Sequence, residues 1–129
     1  MLADPLANTL SVILNGQKVG KEEVIVSPIS KTISKILSIM NDHNYIGKPE
    51  INETAQGKKM TIPLLGSINK CGAIKPRYSV SHKGFEKFEK RYLPAKDFGI
   101  LLVSTPEGIM THQEAKKKNL GGVLLAYCY

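Results

Sequence analysis

Four apolar residues in succession, Ile100 to Val103, constrain this chain more than any other feature. An alternating strand can leave one face to water. An unbroken run cannot, and it reads as a strand buried on both faces or nearly so. The run leads straight into two hydroxyls, Ser104 and Thr105, followed by Pro106, Glu107 and Gly108. Thr111 and Glu114 then stand as a capping box, hydroxyl first and glutamate three residues on, which predicts a helix of about two turns. Gly121-Gly122 is expected to stop that helix, and Val123 to Tyr129 reads as a final strand.

The first half is organised differently. Asp4-Pro5 suits a helix start, an N-cap followed by a proline whose missing N–H has no helical partner anyway. Leu6, Leu10, Ile13 and Leu14 follow on one helical face, with Gly16 as the expected stop. Val24-Ile25-Val26 reads as a short buried strand. Ser27-Pro28 repeats the start signal, and Ile29, Ile33, Ile36, Leu37 and Met40 form a second helical stripe that Asn41 to Asn44 ends. Strands are predicted around 45–51 and 58–65, with Pro63 pointing to an edge position or a bulge. After Gly66 the chain reads as extended to Val80, interrupted at Gly72 and Pro76, and Phe85, Phe88 and Tyr92 mark a short amphipathic helix. The fold class is therefore α+β in two small subdomains. Residues 1–65 read as helix-strand-helix-strand-strand, and residues 66–129 as mainly β with short helices.

Charge separates the same halves. The chain of 129 residues has a formal net charge of +7. Residues 1–65 hold seven Lys+Arg against six Asp+Glu, and residues 66–129 hold eleven against five, so the excess lies in the second half. Such a balance suits a polyanionic partner and says nothing about fold. The apolar runs are too short to span a bilayer and no signal peptide is read, which gives the expectation of a soluble intracellular protein. The two cysteines, Cys71 and Cys128, read as thiols in a reducing compartment, with Cys128 in the core.

The chemistry offers three readings. A hydrolase would use Ser104 with His112 and Glu114, but a Ser–His pair must be oriented by a third group, and Glu114 already serves as the capping partner of Thr111. The histidines His43, His82 and His112 and the cysteines show no paired ligand spacing, so no metal or cofactor is read, and His82 and His112 are expected at the surface. An interaction adaptor with incidental charge is the second reading. The third is nucleic acid. Ser104 and Thr105 suit phosphates, base edges and 2′-hydroxyls, Gly108 admits a close approach, and a following helix N-terminus and Lys116, Lys117 and Lys118 favour an anion. Lys70, Lys75, Arg77 and Lys83 add a second basic stretch around Tyr78, an aromatic placed to stack on a base.

The stretches "DPLANTLSVILNGQ", "SPISKTISKIL", "INKCGAIKPRY" and "EKRYLPAKDFGILLVSTPEGIMTHQEAKKKNLGGVLLAY" resemble, in order and over nearly the whole chain, the family of the eighth protein of the small ribosomal subunit, in its archaeal and eukaryotic cytosolic form. The resemblance implies a non-enzymatic primary rRNA-binding protein of two subdomains, located on the cytoplasmic ribosome. Its implied partners are the central domain of small-subunit rRNA and neighbouring ribosomal proteins. It places the main RNA-recognition loop at Ser104, Thr105, Pro106, Glu107 and Gly108, the double glycine at Gly121 and Gly122, and N-terminal backbone contacts at Ser30 and Lys31. The expected rRNA-binding set is Ser30, Lys31, Arg77, Ser104, Thr105, Gly108, Lys116, Lys117, Gly121 and Gly122. Pro106 stands where the family usually has a second serine, and Val123 where it usually has a charged or polar residue.

Overall fold

The computed structural model describes residues 5–26, 31–55, 57–75, 77–95 and 98–129. The expected caps Asp4 and Ser27, with Pro28, Ile29, Ser30 and Pro76, lie outside the described residues. The chain is α+β and divides into two compact units, residues 1–68 and 69–129.

In the N-terminal unit, helix α1 (Pro5–Lys18) buries Leu6, Leu10 and Ile13, and helix α2 (Lys31–Asp42) buries Ile33, Ile36, Leu37, Ile39 and Met40. Strands β1 (Glu23–Val26), β2 (Glu50–Thr54) and β3 (Gly57–Pro63) form an antiparallel sheet in the order β1-β3-β2. Val24 faces Ile62 and Val26 faces Met60 in register, and all four are buried. Ile25 between them is 61% exposed, so β1 buries one side only. Pro63 is neither on an edge strand nor in a bulge. It is the last residue of the central strand, where a missing donor costs least, and its carbonyl accepts from Gly47 N–H at 2.9 Å. The expected strand at 45–51 is split: Ile46 makes a single bridge to Leu64, and Glu50 and Ile51 open β2, with Pro49 interrupting between them.

The helix ends are where the sequence expectation shifts most. α1 runs through Gly16, whose missing side chain makes room for Val24. It ends instead at Gly20, with φ +80°. There Lys21 N–H reaches back to Gly16 O (3.0 Å) and Gly20 N–H to Gln17 O (3.1 Å), the pair of bonds of a Schellman motif. α2 ends in the same way around Asn44, φ 62°, with Tyr45 N–H on Met40 O and Asn44 N–H on Asn41 O. Beyond β3, Gln17 uses its side-chain amide as a strand would use its peptide: Ile68 N–H donates to Oε1 at 3.2 Å, and Nε2 donates to Ile68 O.

The C-terminal unit holds β4 (Cys71–Ala73), β5 (Ser79–Val80), α3 (Phe85–Tyr92), β6 (Ile100–Thr105), β7 (Gly108–Thr111), α4 (His112–Lys117) and β8 (Gly122–Cys128). Its sheet runs β4-β8-β6-β7, with β5 also paired to β8. Ile100 to Val103 are 3% exposed or less, as an unbroken apolar run demands. Leu101, Val103 and Leu124 pack with Phe85, Phe88, Leu93, Met110 and Ala115 in one cluster. α4 ends at Asn119, φ 55°, in a third Schellman pair: Leu120 N–H on Ala115 O and Asn119 N–H on Lys116 O. Gly121-Gly122 therefore does not stop this helix.

These left-handed positions carry a measurable cost for side chains that reject them. Gly20→Ala and Asn44→Val should each lower unfolding free energy by about 1–2 kcal/mol, while Asn44→Gly should be tolerated. Urea denaturation of the three variants checks this.

Candidate nucleic-acid interface

Ser104 and Thr105 belong to β6 itself and not to a loop beyond it. Ser104 pairs with Ile109 of β7 on one side and Val123 of β8 on the other. β6 and β7 are joined by two residues, Pro106 and Glu107, with Thr105 opposite Gly108. Hairpins this tight usually use turns with positive φ at the first central residue, which proline forbids. The positive φ falls on Gly108 instead, at +122°. Thr105 closes the turn: its hydroxyl donates to Gly108 O at 2.7 Å and accepts from Glu107 N–H at 3.3 Å. Thr105 is 8% exposed, so its hydroxyl is spent on the hairpin.

Beside this hairpin lies an open concavity lined by Ser79, Val80, Ser81, Ser104, Pro106, Gly121, Gly122 and Val123. Three strands build it: β5, the end of β6 and the start of β8. The double glycine is what lets them meet. A side chain at Gly121 would lie 2.6 Å from Val80 O, and one at Gly122 would overlap Ser104 O outright. Three hydroxyls, from Ser79, Ser81 and Ser104, line the hollow, and none of the residues lining it is acidic. Pro106 adds an apolar wall.

The basic groups are distributed around it in sequence rather than gathered in it. Arg77, Lys70, Lys75 and Lys83 are exposed in the segment that contains β4 and β5. Lys117 and Lys118 are exposed at the end of α4. Tyr78 is not a free stacking platform: its ring packs on Phe88 at 5.2 Å between centroids and carries the Arg91 guanidinium at 5.5 Å. α4 has only six residues, and Glu114 N–H in its first turn is taken by Thr111 Oγ1 at 3.3 Å, so its start is a cap and not an anion site.

A buried polar chain underlies the hairpin. His112, expected at the surface, is 1% exposed. Leu101 N–H donates to its Nδ1 at 3.1 Å, just past the last residue pair of β6 with β7. The ring thus continues the ladder where the β7 backbone turns away. An Nδ1 that accepts leaves the proton on Nε2, which faces Glu89 Oε1 at 3.3 Å. Glu89 is itself 5% exposed and is also ion-paired with Lys116. Lys116 is therefore tied to α3, and His112 has both ring nitrogens engaged, which denies it to Ser104 as a base. Sequence held one clue to Glu89: it sits at the apolar spacing set by Phe85, Phe88 and Tyr92.

A family model for ribosomal protein S8 matches residues 4–129. The chain belongs to the ribosomal protein S8 family. It is accordingly a ribosomal protein of the small subunit with a role in rRNA binding. For a member of this family, the placement of the expected RNA set is instructive. Ser104, Gly121 and Gly122 come together in one concavity, with Thr105 and Gly108 in the adjoining turn. Ser79 and Ser81 join them, and no local motif marks these two. Arg77 precedes β5, Lys117 stands exposed on α4, and Lys116 points into the ion pair with Glu89. Lys31 is exposed at the start of α2 in the N-terminal unit, and Ser30 lies outside the described residues.

The buried chain predicts coupled stabilities. Glu89→Ala should cost about 2–3 kcal/mol, below the usual figure for a broken buried ion pair because Lys116 can turn to water. His112→Ala should destabilise as well, and the double variant should fall short of the sum by about 0.5–3 kcal/mol. Chemical denaturation of the cycle measures it.

Proposed function

We propose that this ribosomal protein is a primary binder of the central domain of small-subunit rRNA, and that its C-terminal unit grips RNA at the concavity between β5, β6 and β8. The observation that carries this reading is the hollow itself. Three serines, a half-buried double glycine and no acidic lining residue meet at one end of the sheet. RNA loops and bulges are read by shape, by 2′-hydroxyls and by the edges of unstacked bases, which these groups match. Ser104, Gly121 and Gly122 form the contact surface in this reading. Thr105 and Gly108 hold the hairpin in place, and Arg77 and Lys117 supply charge around it. Lys31, with Ser30, adds backbone contacts from the N-terminal unit. Lys116 contributes through its tie to Glu89 more than through phosphate. The protein supports subunit assembly alongside neighbouring ribosomal proteins and performs no catalysis.

Two classes of variant separate recognition from attraction. Ser104→Ala should weaken binding to a central-domain rRNA fragment by about 1–3 kcal/mol and leave the melting temperature unchanged. Arg77→Ala and Lys117→Ala should weaken binding to every RNA and flatten the salt dependence. The measurement is a filter-binding or calorimetric titration across a salt series, against an unrelated duplex of equal length. Equal affinity for both RNAs would identify a generic basic surface and remove the claim for Ser104. Gly122→Ala is the structural control: crowding against Ser104 should lower stability by about 1–3 kcal/mol whatever its effect on RNA.

A further inference from the structure

The two cysteines, far apart in sequence, are direct cross-strand neighbours: Cys71 of β4 is the register partner of Cys128 of β8. The bonds on either side define what kind of pair they form. Lys70 and Tyr129 exchange both backbone bonds, each N–H on the other's carbonyl at 2.9 Å, so that pair is hydrogen-bonded. Four residues further along each strand, Ile74 N–H donates to Leu125 O and continues the same parity. In an antiparallel ladder the two kinds of pair alternate, which makes Cys71 and Cys128 a non-hydrogen-bonded pair. Side chains are closest in such pairs, with Cα atoms about 4.5 Å apart, inside the range of about 4.4–6.8 Å that a disulfide spans. No disulfide joins them in this structure, and both are buried.

We propose that Cys71 and Cys128 form a preorganised dithiol site that a hydroperoxide oxidises reversibly to a disulfide, stapling β4 to β8. The step balances with the oxidant named. One sulfur, as thiolate, attacks a hydroperoxide oxygen, the O–O bond breaks, and an alcohol leaves with a sulfenic acid formed on the protein. The second sulfur displaces the sulfenic oxygen as water, forming the S–S bond. Two thiols lose two electrons and two protons, and the hydroperoxide takes them up as alcohol and water.

Burial sets the rate of this reaction. Desolvation pushes the Cys71 thiol up to about 11, and it pushes Cys128 higher still, with Cys71 as its neighbour adding to the effect. In the closed protein both therefore stay protonated at neutral pH and react slowly. β4 is an edge strand of three residues, paired to β8 alone, and short edge strands open locally at low cost. Opening exposes Cys71, and reclosing brings its oxidised sulfur back onto Cys128. The staple then holds one end of the segment that continues into β5 and so into the wall of the concavity.

The test uses the full chain and does not depend on RNA binding. The protein is exposed to hydrogen peroxide and remaining thiols are blocked under denaturing conditions. Disulfides are then reduced and labelled with a second alkylating reagent. The expected result is equal second label on the peptides containing Cys71 and Cys128, from monomeric protein. The oxidised form should melt several degrees higher and return on treatment with a dithiol. A map of unreduced peptides should contain one linked pair, a readout in the wild-type chain that holds even where a variant fails to fold. In Cys71→Ala, Cys128 should lose the second label. Retention of both thiols in the blocked form, label confined to disulfide-linked dimers, or undiminished label on Cys128 in Cys71→Ala would each overturn the proposal.

Discussion

The C-terminal unit depends on β8 lying against β6 with nothing between them at Gly122. A methyl group there would overlap the carbonyl of Ser104, so the two strands would have to part where the hydroxyl-bearing end of β6 is presented. The same approach is repeated one residue earlier, where Gly121 lies against the backbone of Val80 and Ser81. Two adjacent glycines thus bring three strands to one hollow. A reading in which the double glycine only ends a helix misses this, because α4 already ends at Asn119. The glycines serve packing.

The polar chain from Leu101 through His112 and Glu89 to Lys116 does for the other side of β6 what the glycines do for this one. β7 is short, so the β6 backbone would be left with an unpaired N–H beneath α4. A buried unpaired donor is costly, and His112 removes the cost by accepting from it. The imidazole can do so only in the tautomer that directs Nε2–H at an acceptor, and Glu89 supplies one. Glu89 is tolerated in the core because Lys116 reaches it from α4. Each member is the reason for the next, and together they join α3, α4 and β6.

How much of this was legible in the sequence varies with the range of the interaction that decides it. The amphipathic stripes of α1, α2 and α3 and the buried run of β6 are local patterns, and they appear where the spacing of apolar residues puts them. Helix ends were harder. Asn44 and Asn119 adopt the left-handed conformation usually given to glycine, while Gly16 sits inside a helix because Val24 needs its space. Ile25 shows the limit of a short apolar triplet: three β-branched residues announce a strand but not that its sheet is covered on one side only. In the candidate site, Ser104 stood out by position, whereas Ser79 and Ser81 reach it only because β5 crosses to β8, a pairing between residues more than forty apart. Tyr78 and His112 carried plausible surface chemistry and turned out to be engaged, one by Phe88 and Arg91 and the other by Leu101 and Glu89.

Rigidity links these observations to binding. A ligand that must order a flexible loop loses affinity to the entropy of ordering it, and a surface already held in place avoids that loss. Here the hydroxyl of Thr105, which sequence alone offers as a second RNA contact, is turned inward to fix the hairpin that carries Ser104. Pro106 acts in the same direction, since its fixed φ removes turn conformations that a serine would allow. The proline thereby contributes to the preorganisation of the serine two positions before it. In the proposed reading, recognition at this site rests on few polar groups, held in place by residues engaged within the hairpin.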